Sequence, residues 1–408
     1  MSEIADFGAV ILVVAVGFAA GVVSTRLLDR LPVPAPAVFL VAAAIVSDLW
    51  PTLYRHIPVQ TVERISVVAL IVILLDGGMD VGWPRFRAVA RPIVLLGVVG
   101  TLITAAVVAC ATHVLLGFNW TFAGLVGAAV APTDPAVMFS VLGGGGIGGR
   151  VGTTLEGEAG VNDPAGIALM LGLIELATRP DATFWVVVRE FAIEMAVGIA
   201  VGVAGAVLLP RILRIVRLPN TSLYPVLTLL LAVALFGAAS IAHGSGFLAV
   251  FIAGLALGAA DVPQRREIAG FQKALAGLAE LTVFCVLGLS VHVADIPART
   301  WLEGVVVGLV LAVLARPLAV AVTLVGARFD RRELGFVAWC GLKGAVPIVL
   351  AAFAVIESAP GAGHLYSLVF VVVLVSVAGQ GSLVPYLARR LRMPAEEGRP
   401  AADRPALD

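Results

Sequence analysis

The chain has 408 residues, of which 60% are hydrophobic and 13% charged, and its formal net charge is zero. Soluble domains carry about 25% charged residues, so this composition, with a mean hydropathy of +1.04, excludes a water-soluble enzyme and points to a polytopic membrane protein. A neutral charge balance also gives no electrostatic footprint for a nucleic-acid partner.

The acidic start, MSEIADFG, has no basic stretch ahead of an apolar one, so no cleaved signal peptide is expected. A helical span needs about 20 mostly apolar residues. Thirteen segments meet that requirement, roughly 7–28, 33–50, 62–81, 92–117, 120–142, 150–177, 184–209, 222–243, 245–260, 271–293, 301–327, 333–357 and 365–388. The division at His243, Gly244, Ser245 and Gly246 is the weakest. The last stretch, RMPAEEGRPAADRPALD, is rich in Pro, Ala and charge. It reads as a short disordered tail over 391–408, with no soluble domain after the membrane part. Cys110, Cys285 and Cys340 lie in apolar segments without paired spacing, so neither a disulfide nor a zinc site is expected, and no cofactor is implied.

Basic residues collect on the cytoplasmic side of a membrane protein. With the N-terminus outside, 20 of the 27 basic residues fall in or beside inside segments and five fall outside. The remaining two, Arg316 and Lys343, lie within spans. The expected orientation is therefore N-terminus out and C-terminus cytoplasmic.

The fifth span, GLVGAAVAPTDPAVMFSVL, places Pro132 and Pro135 around Thr133 and Asp134. Each proline removes a backbone donor and clashes with the preceding turn, so a break is expected in mid-membrane. Such backbone is tolerated only where it lines a cavity or is buried in protein. The twelfth span, VAWCGLKGAVPIVLAAF, repeats the pattern with Gly344 and Pro347 beside Lys343. Taking spans 1–6, span 7 and spans 8–13 as units puts each break in the fifth helix of a six-helix unit. Six spans plus a linker span set the two units in opposite orientations, the pattern of inverted-repeat transporters with paired discontinuous helices. The expected fold is an all-α membrane protein with repeat one at about 7–177, a linker span at 184–209, repeat two at about 222–390, and two discontinuous crossed helices. Asp134 stands at the positive start of one half-helix and Lys343 at the negative end of another. Asp134 is thus either a structural compensator or an ion ligand.

The sixth span carries Glu156, Glu158, Asn162 and Asp163 in otherwise apolar sequence. Glu156, Ala159 and Asp163 share one helix face, and Glu158 and Asn162 share another. Asp163 lies about 20 Å into the span and is the expected ion ligand, since one carboxylate can hold a proton or a small cation but not both. Asn162 adds an amide, and Thr133 a hydroxyl and a freed carbonyl; hard cations favour such oxygens. Pro164 makes local unwinding an option here. Arg316 lies near the middle of the eleventh span with no acid beside it. An unpaired charge there is costly, and Glu158 faces away from Asp163, so these two are the expected ion pair. Glu156 is either a cytoplasmic funnel residue or water-exposed. Asp76, near the inner end of the third span, is a third ion carboxylate, an access-path residue or a helix-end charge reaching water. Glu280 has no pattern around it. The run GGGGIGG at 143–149 has no strand before it and is no nucleotide loop.

The motifs LLDGGM, PTDPAVMFSVL, LEGEAGVNDP, GSGFLAVFIAGLALG, LARPLAV, GLKGAVPIVLA and VVLVSVAGQGS resemble, in that order over about residues 60–390, those of the cation:proton antiporter superfamily. The likeness is greatest to its cell-volume-regulation branch of potassium/proton antiporters. The resemblance implies one antiporter domain over 1–390, exchanging K+ or Na+ for H+ in a bacterial plasma membrane. It implies Asp163 as the shared cation and proton site, Thr133 and Asp134 lining it, an internal Glu158–Arg316 salt bridge, and Asp76 near the ion pathway. It also implies a homodimer in membrane lipid whose core domain moves against a dimerisation domain. Lys343 stands where such proteins commonly carry Arg. The short tail differs from the regulatory domains frequent in the potassium branch and implies regulation through pH at the site. With Glu158 and Arg316 neutralising each other, Asp163 is the one titrating carboxylate left, so exchange is expected to be electroneutral. An intramembrane aspartyl protease lacks its Gly-x-Gly-Asp motif here. A sodium-coupled organic-solute symporter is the alternative, and it finds no polar pocket beyond the acid cluster.

Overall fold

The computed structural model describes Ala19 and residues 34–49, 58–142, 147–179 and 181–394. The expected first span at 7–28, apart from Ala19, most of the glycine run at 143–149 and the tail from 395 lie outside the described residues. Within them the chain is helical and has no strand. The helices are α1 (Ala35–Leu49), α2 (Val59–Ala88), α3 (Ala90–Leu116), α4 (Trp120–Val130), α5 (Pro135–Val141), α6 (Gly149–Thr178) and α7 (Phe184–Ile215). They continue with α8 (Leu223–Ile241), α9 (Gly246–Ala259), α10 (Arg265–Leu289), α11 (Ala298–Thr323), α12 (Arg331–Trp339), α13 (Ala345–Ile356) and α14 (Ala362–Arg390). Among the described residues eight are long and apolar enough to cross a membrane, while α1, α4, α9 and α13 are shorter apolar helices.

Local chemistry sets the boundaries. Asn119 caps α4 by accepting from the Phe122 amide at 2.8 Å, and Asp330 and Glu333 form a reciprocal capping box on α12. At the weak division between α8 and α9 the chain turns at His243, which has φ of 57°, and Ser245 caps α9. Gly82 interrupts α2 with φ of 64°, two residues before Pro84, so the regular helix stops just past Asp80. In α11 the ladder widens to π-helix over Leu311–Ala315. Pro317 has no amide to donate to the carbonyl four residues back, which accounts for that shift.

The region around Asp163 does not unwind. Pro164 lies inside a continuous α6. This helix is buried among α2, α3, α4 and α7, and carbonyls freed by unwinding would face apolar side chains without donors. The inner helices are closely packed: every residue from Ala345 to Ala352 in α13 is buried. α2 and α9 cross so tightly that a Cβ on Gly78 would meet the Phe251 carbonyl and lie 3.0 Å from the Gly254 Cα. The outer faces are the reverse. Phe184, Trp185, Val203 and Leu208 of α7 and Leu230 and Ile241 of α8 are exposed, a surface that suits hydrocarbon rather than water.

Candidate functional site: a carboxylate-lined cavity beneath two crossed broken helices

The fifth and twelfth spans break at their prolines and glycines, giving α4 and α5 on one side and α12 and α13 on the other. The two gaps meet. The Asp134 amide donates to the Leu342 carbonyl at 2.8 Å, so each unwound strand satisfies part of the other. Lys343 is 1% exposed, and its Nζ donates to the carbonyls of Ala131 at 2.8 Å and Pro132 at 2.9 Å. It therefore serves the negative end of α4 rather than the end of α12 to which its sequence position assigns it. The α12 end has its own partner, because Gln380 Nε2 donates to the Trp339 carbonyl at 2.6 Å. Ser376 accepts from the Lys343 amide at 3.0 Å. In the other direction, Asp134 lies against Gly344, the residue that starts α13. A Cβ on Gly344 would occupy the place of the Asp134 carboxylate, so this close crossing requires glycine.

Losing the ammonium leaves two buried carbonyls without donors, each worth about 1–3 kcal/mol. Lys343→Met is expected to lower the melting temperature of the detergent-solubilised protein clearly, whereas Lys343→Arg, which keeps donors, stays close to the wild type. Equal melting of the Met variant and the wild type would contradict this role.

Behind the crossing runs a chain of polar side chains. Arg316 and Glu158 pair through both terminal guanidinium nitrogens, the Nη2 to Oε2 distance being 2.7 Å; their side chains are 4% and 1% exposed. Glu158 accepts from Thr133 Oγ1 at 3.4 Å, and Thr133 Oγ1 accepts from Asn162 Nδ2 at 2.7 Å. Arg316 also reaches the Val337 carbonyl at 3.3 Å. The paired charges thus brace α6 against α11 and α12, and the chain ends one residue from Asp163.

Asp163 itself is 7% exposed, and its Oδ1 has no hydrogen-bond partner among the described residues; the same holds for Asn162 Oδ1. Asp163 lines a cavity of about 450 Å³ together with Asp76, Asp80, Asp134, Glu156, Glu280 and Lys273. Phe139, Phe251 and Phe284 supply apolar wall. The structure therefore brings Asp163, Asp134 and Asp76 to one cavity, while Thr133, Asn162, Glu158 and Arg316 sit behind its wall. Glu156 is near the mouth, where Arg85 approaches it at 3.4 Å.

Four participants were not among the site residues expected from sequence. Glu280 and Lys273 are seven residues apart on α10 and both face the cavity; that spacing, in an apolar stretch, was the available signal. Ser376 and Gln380, four residues apart in α14, lie in a π-helical turn over Val375–Gln380, a form common at functional sites.

Comparison with known proteins agrees with this architecture. The model of the family described as sodium/hydrogen exchanger, transmembrane, matches residues 9–390. The chain is similar to the K(+)/H(+) antiporter NhaP of Alkalimonas amylolytica, at 32% identity, covering 95% of this chain and 68% of that protein. It is similar to the K(+)/H(+) antiporter NhaP2 of Shewanella sp. strain ANA-3, at 34% identity, over 88% of this chain and 63% of that one. The Na(+)/H(+) antiporter NhaP of Pseudomonas aeruginosa is 28% identical, over 78% of this chain and 79% of that one. The chain spans about two thirds of the length of the two potassium/proton relatives. In fold it matches the sodium proton antiporter MjNhaP1 of Methanocaldococcus jannaschii at pH 8, with a TM-score of 0.79 and 24% identity, covering 94% of this chain and 99% of the other. An organic-solute symporter gains no support from these matches.

Proposed function

The chain belongs to the sodium/hydrogen exchanger, transmembrane, family, and from that membership we propose that it exchanges K+ or Na+ for protons by alternating access at Asp163. The observation that carries this reading is the deeply buried carboxylate whose Oδ1 lacks a partner on the wall of an acid-lined cavity. A carboxylate in that position needs a proton or a cation to offset its burial, and one group serving both is an exchanger. Asn162 contributes its unpaired Oδ1, Thr133 holds Asn162 in place, and Asp134 and Asp76 set a negative field. Glu158 and Arg316 cancel each other. Asp163 is then the one carboxylate that changes state in the cycle, so its loaded forms are both neutral and exchange is electroneutral.

The fold reading goes with it: thirteen transmembrane helices, with repeat one at about 7–177, a linker span at 184–209 and repeat two at about 222–390, crossing at α4/α5 and α12/α13. The contact of Asp134 with Leu342 and the reach of Lys343 across to Ala131 and Pro132 support that pairing. The N-terminus is outside and the C-terminus cytoplasmic, which puts the cavity mouth at Glu156, Asp80 and Lys273 on the cytoplasmic side. The apolar outer faces of α7 and α8 meet lipid or a second copy in a homodimer.

The test is cation-driven proton flux in proteoliposomes without organic solute, and its pH dependence has a definite sign. Acidification fills Asp163 with protons, so more cation is needed to displace them. In the range where the protonated form dominates, the apparent KM for the cation rises about tenfold per unit fall in pH. At higher pH the carboxylate is already free and KM levels off. A KM that stays flat while the maximal rate alone responds to pH would exclude direct competition at one site.

A further inference from the structure

We propose that Glu280 is a further cation-binding residue of the exchange reaction, setting the affinity for the monovalent cation by lining the approach to Asp163. This rests on the antiporter reading above. Three helices wall the cavity, and their charges fall into two tiers. Glu156 of α6 and Lys273 of α10 lie about 11 Å from their helix starts at the mouth, and Asp80 lies just before the Gly82 break of α2. Asp163 and Glu280 each lie about 20 Å from those starts, and Asp76 lies one turn deeper than Asp80. The inner tier is thus one carboxylate from each of three helices around a single cavity, with Asp134 at the crossing beside it.

Glu280 is the member of that tier that the exchange cycle does not yet use. It has no hydrogen-bond or ion-pair partner among the described residues, unlike Glu158, which is held by Arg316. A half-buried carboxylate left without a donor has no structural work to explain it. The second observation pointing to a ligand is Asp163, which is more than nine-tenths buried and presents an unpaired oxygen on the same cavity. In the proposed repeats α2 and α10 are each the third helix of their unit, so Asp76 and Glu280 stand at equivalent places on either side of the path. A cation shedding water there is stabilised by both before it reaches Asp163. Glu280 does not exchange its own proton in the cycle, so it sets apparent affinity and leaves the one-for-one stoichiometry alone.

The experiment compares cation-driven proton flux in proteoliposomes for the wild type, Glu280→Gln and Glu280→Asp. One unit charge acting across about 10 Å at intermediate dielectric changes affinity by about tenfold. Glu280→Gln is expected to raise the apparent KM for sodium and potassium by about that factor, with the maximal rate within about twofold of wild type. Glu280→Asp should restore most of the affinity. A second pair leaves Glu280 in place: a side chain on Gly277 meets open space one turn away on the cavity face. Gly277→Lys should raise KM by a similar factor, while Gly277→Met, of equal length, should not. Unchanged KM in both Glu280→Gln and Gly277→Lys would overturn the proposal. If Glu280→Gln does not fold, an unchanged KM in Gly277→Lys does so alone. Absence of exchange in the wild type would instead remove the antiporter reading itself.

Discussion

Asp163→Asn is expected to abolish cation-driven proton exchange in a protein that still folds. The amide is nearly isosteric with the carboxylate, and α6 is a continuous helix packed on all sides, so the substitution has little to disturb. The carboxylate Oδ1 has no partner among the described residues, which means that the change breaks no hydrogen bond there. What it removes is chemical. An amide neither gains nor loses a proton near neutrality, and it carries no charge to hold a dehydrated cation. Since Glu158 is tied to Arg316 and Asp134 stands at the helix crossing, no other group takes over both states. The expected result is flux at the background of empty liposomes, at every pH, with an elution profile and melting temperature like the wild type. Residual cation-dependent proton movement would move the exchange site to another carboxylate of the cavity.

The second large effect concerns stability. Glu158 and Arg316 are both almost fully buried and joined through two hydrogen bonds. Removing either leaves an uncompensated buried charge, at about 3–5 kcal/mol. Glu158→Gln and Arg316→Met should each sharply reduce the yield and melting temperature of folded protein. The double variant should recover much of the loss, because it leaves no charge behind. Glu158 also anchors Thr133 and, through it, Asn162, so the double variant is expected to fold better than it transports. Losses that simply add would mean that the two side chains act independently.

Some of this was legible in the sequence for reasons that are local. Proline and glycine clustered beside Asp134 and beside Lys343 in apolar runs marked both discontinuous spans. Burial cost demands an acid for Arg316, and of the deep acids Glu158 is the one whose helix face turns away from Asp163. What the sequence did not carry is the third dimension of the crossing. Lys343 is adjacent to the end of α12, yet it bonds the end of α4, because the prolines strip that end of donors and the chains cross within reach. Pro164 suggested unwinding, but the packing around α6 overrides a single missing amide. Glu280 looked isolated along the chain and is isolated only there: α10 and α2 pack together, which brings it to the cavity shared by Asp76 and Asp163.

The central claim is that one carboxylate holds either a proton or a cation. It is tested most directly by proton release on binding, in weakly buffered detergent solution with a pH-sensitive dye. At a pH where Asp163 is largely protonated, adding sodium or potassium should release one proton per cation bound by the wild type and none from Asp163→Asn. Cation binding by the wild type without proton release, or equal release from Asp163→Asn, would contradict the account.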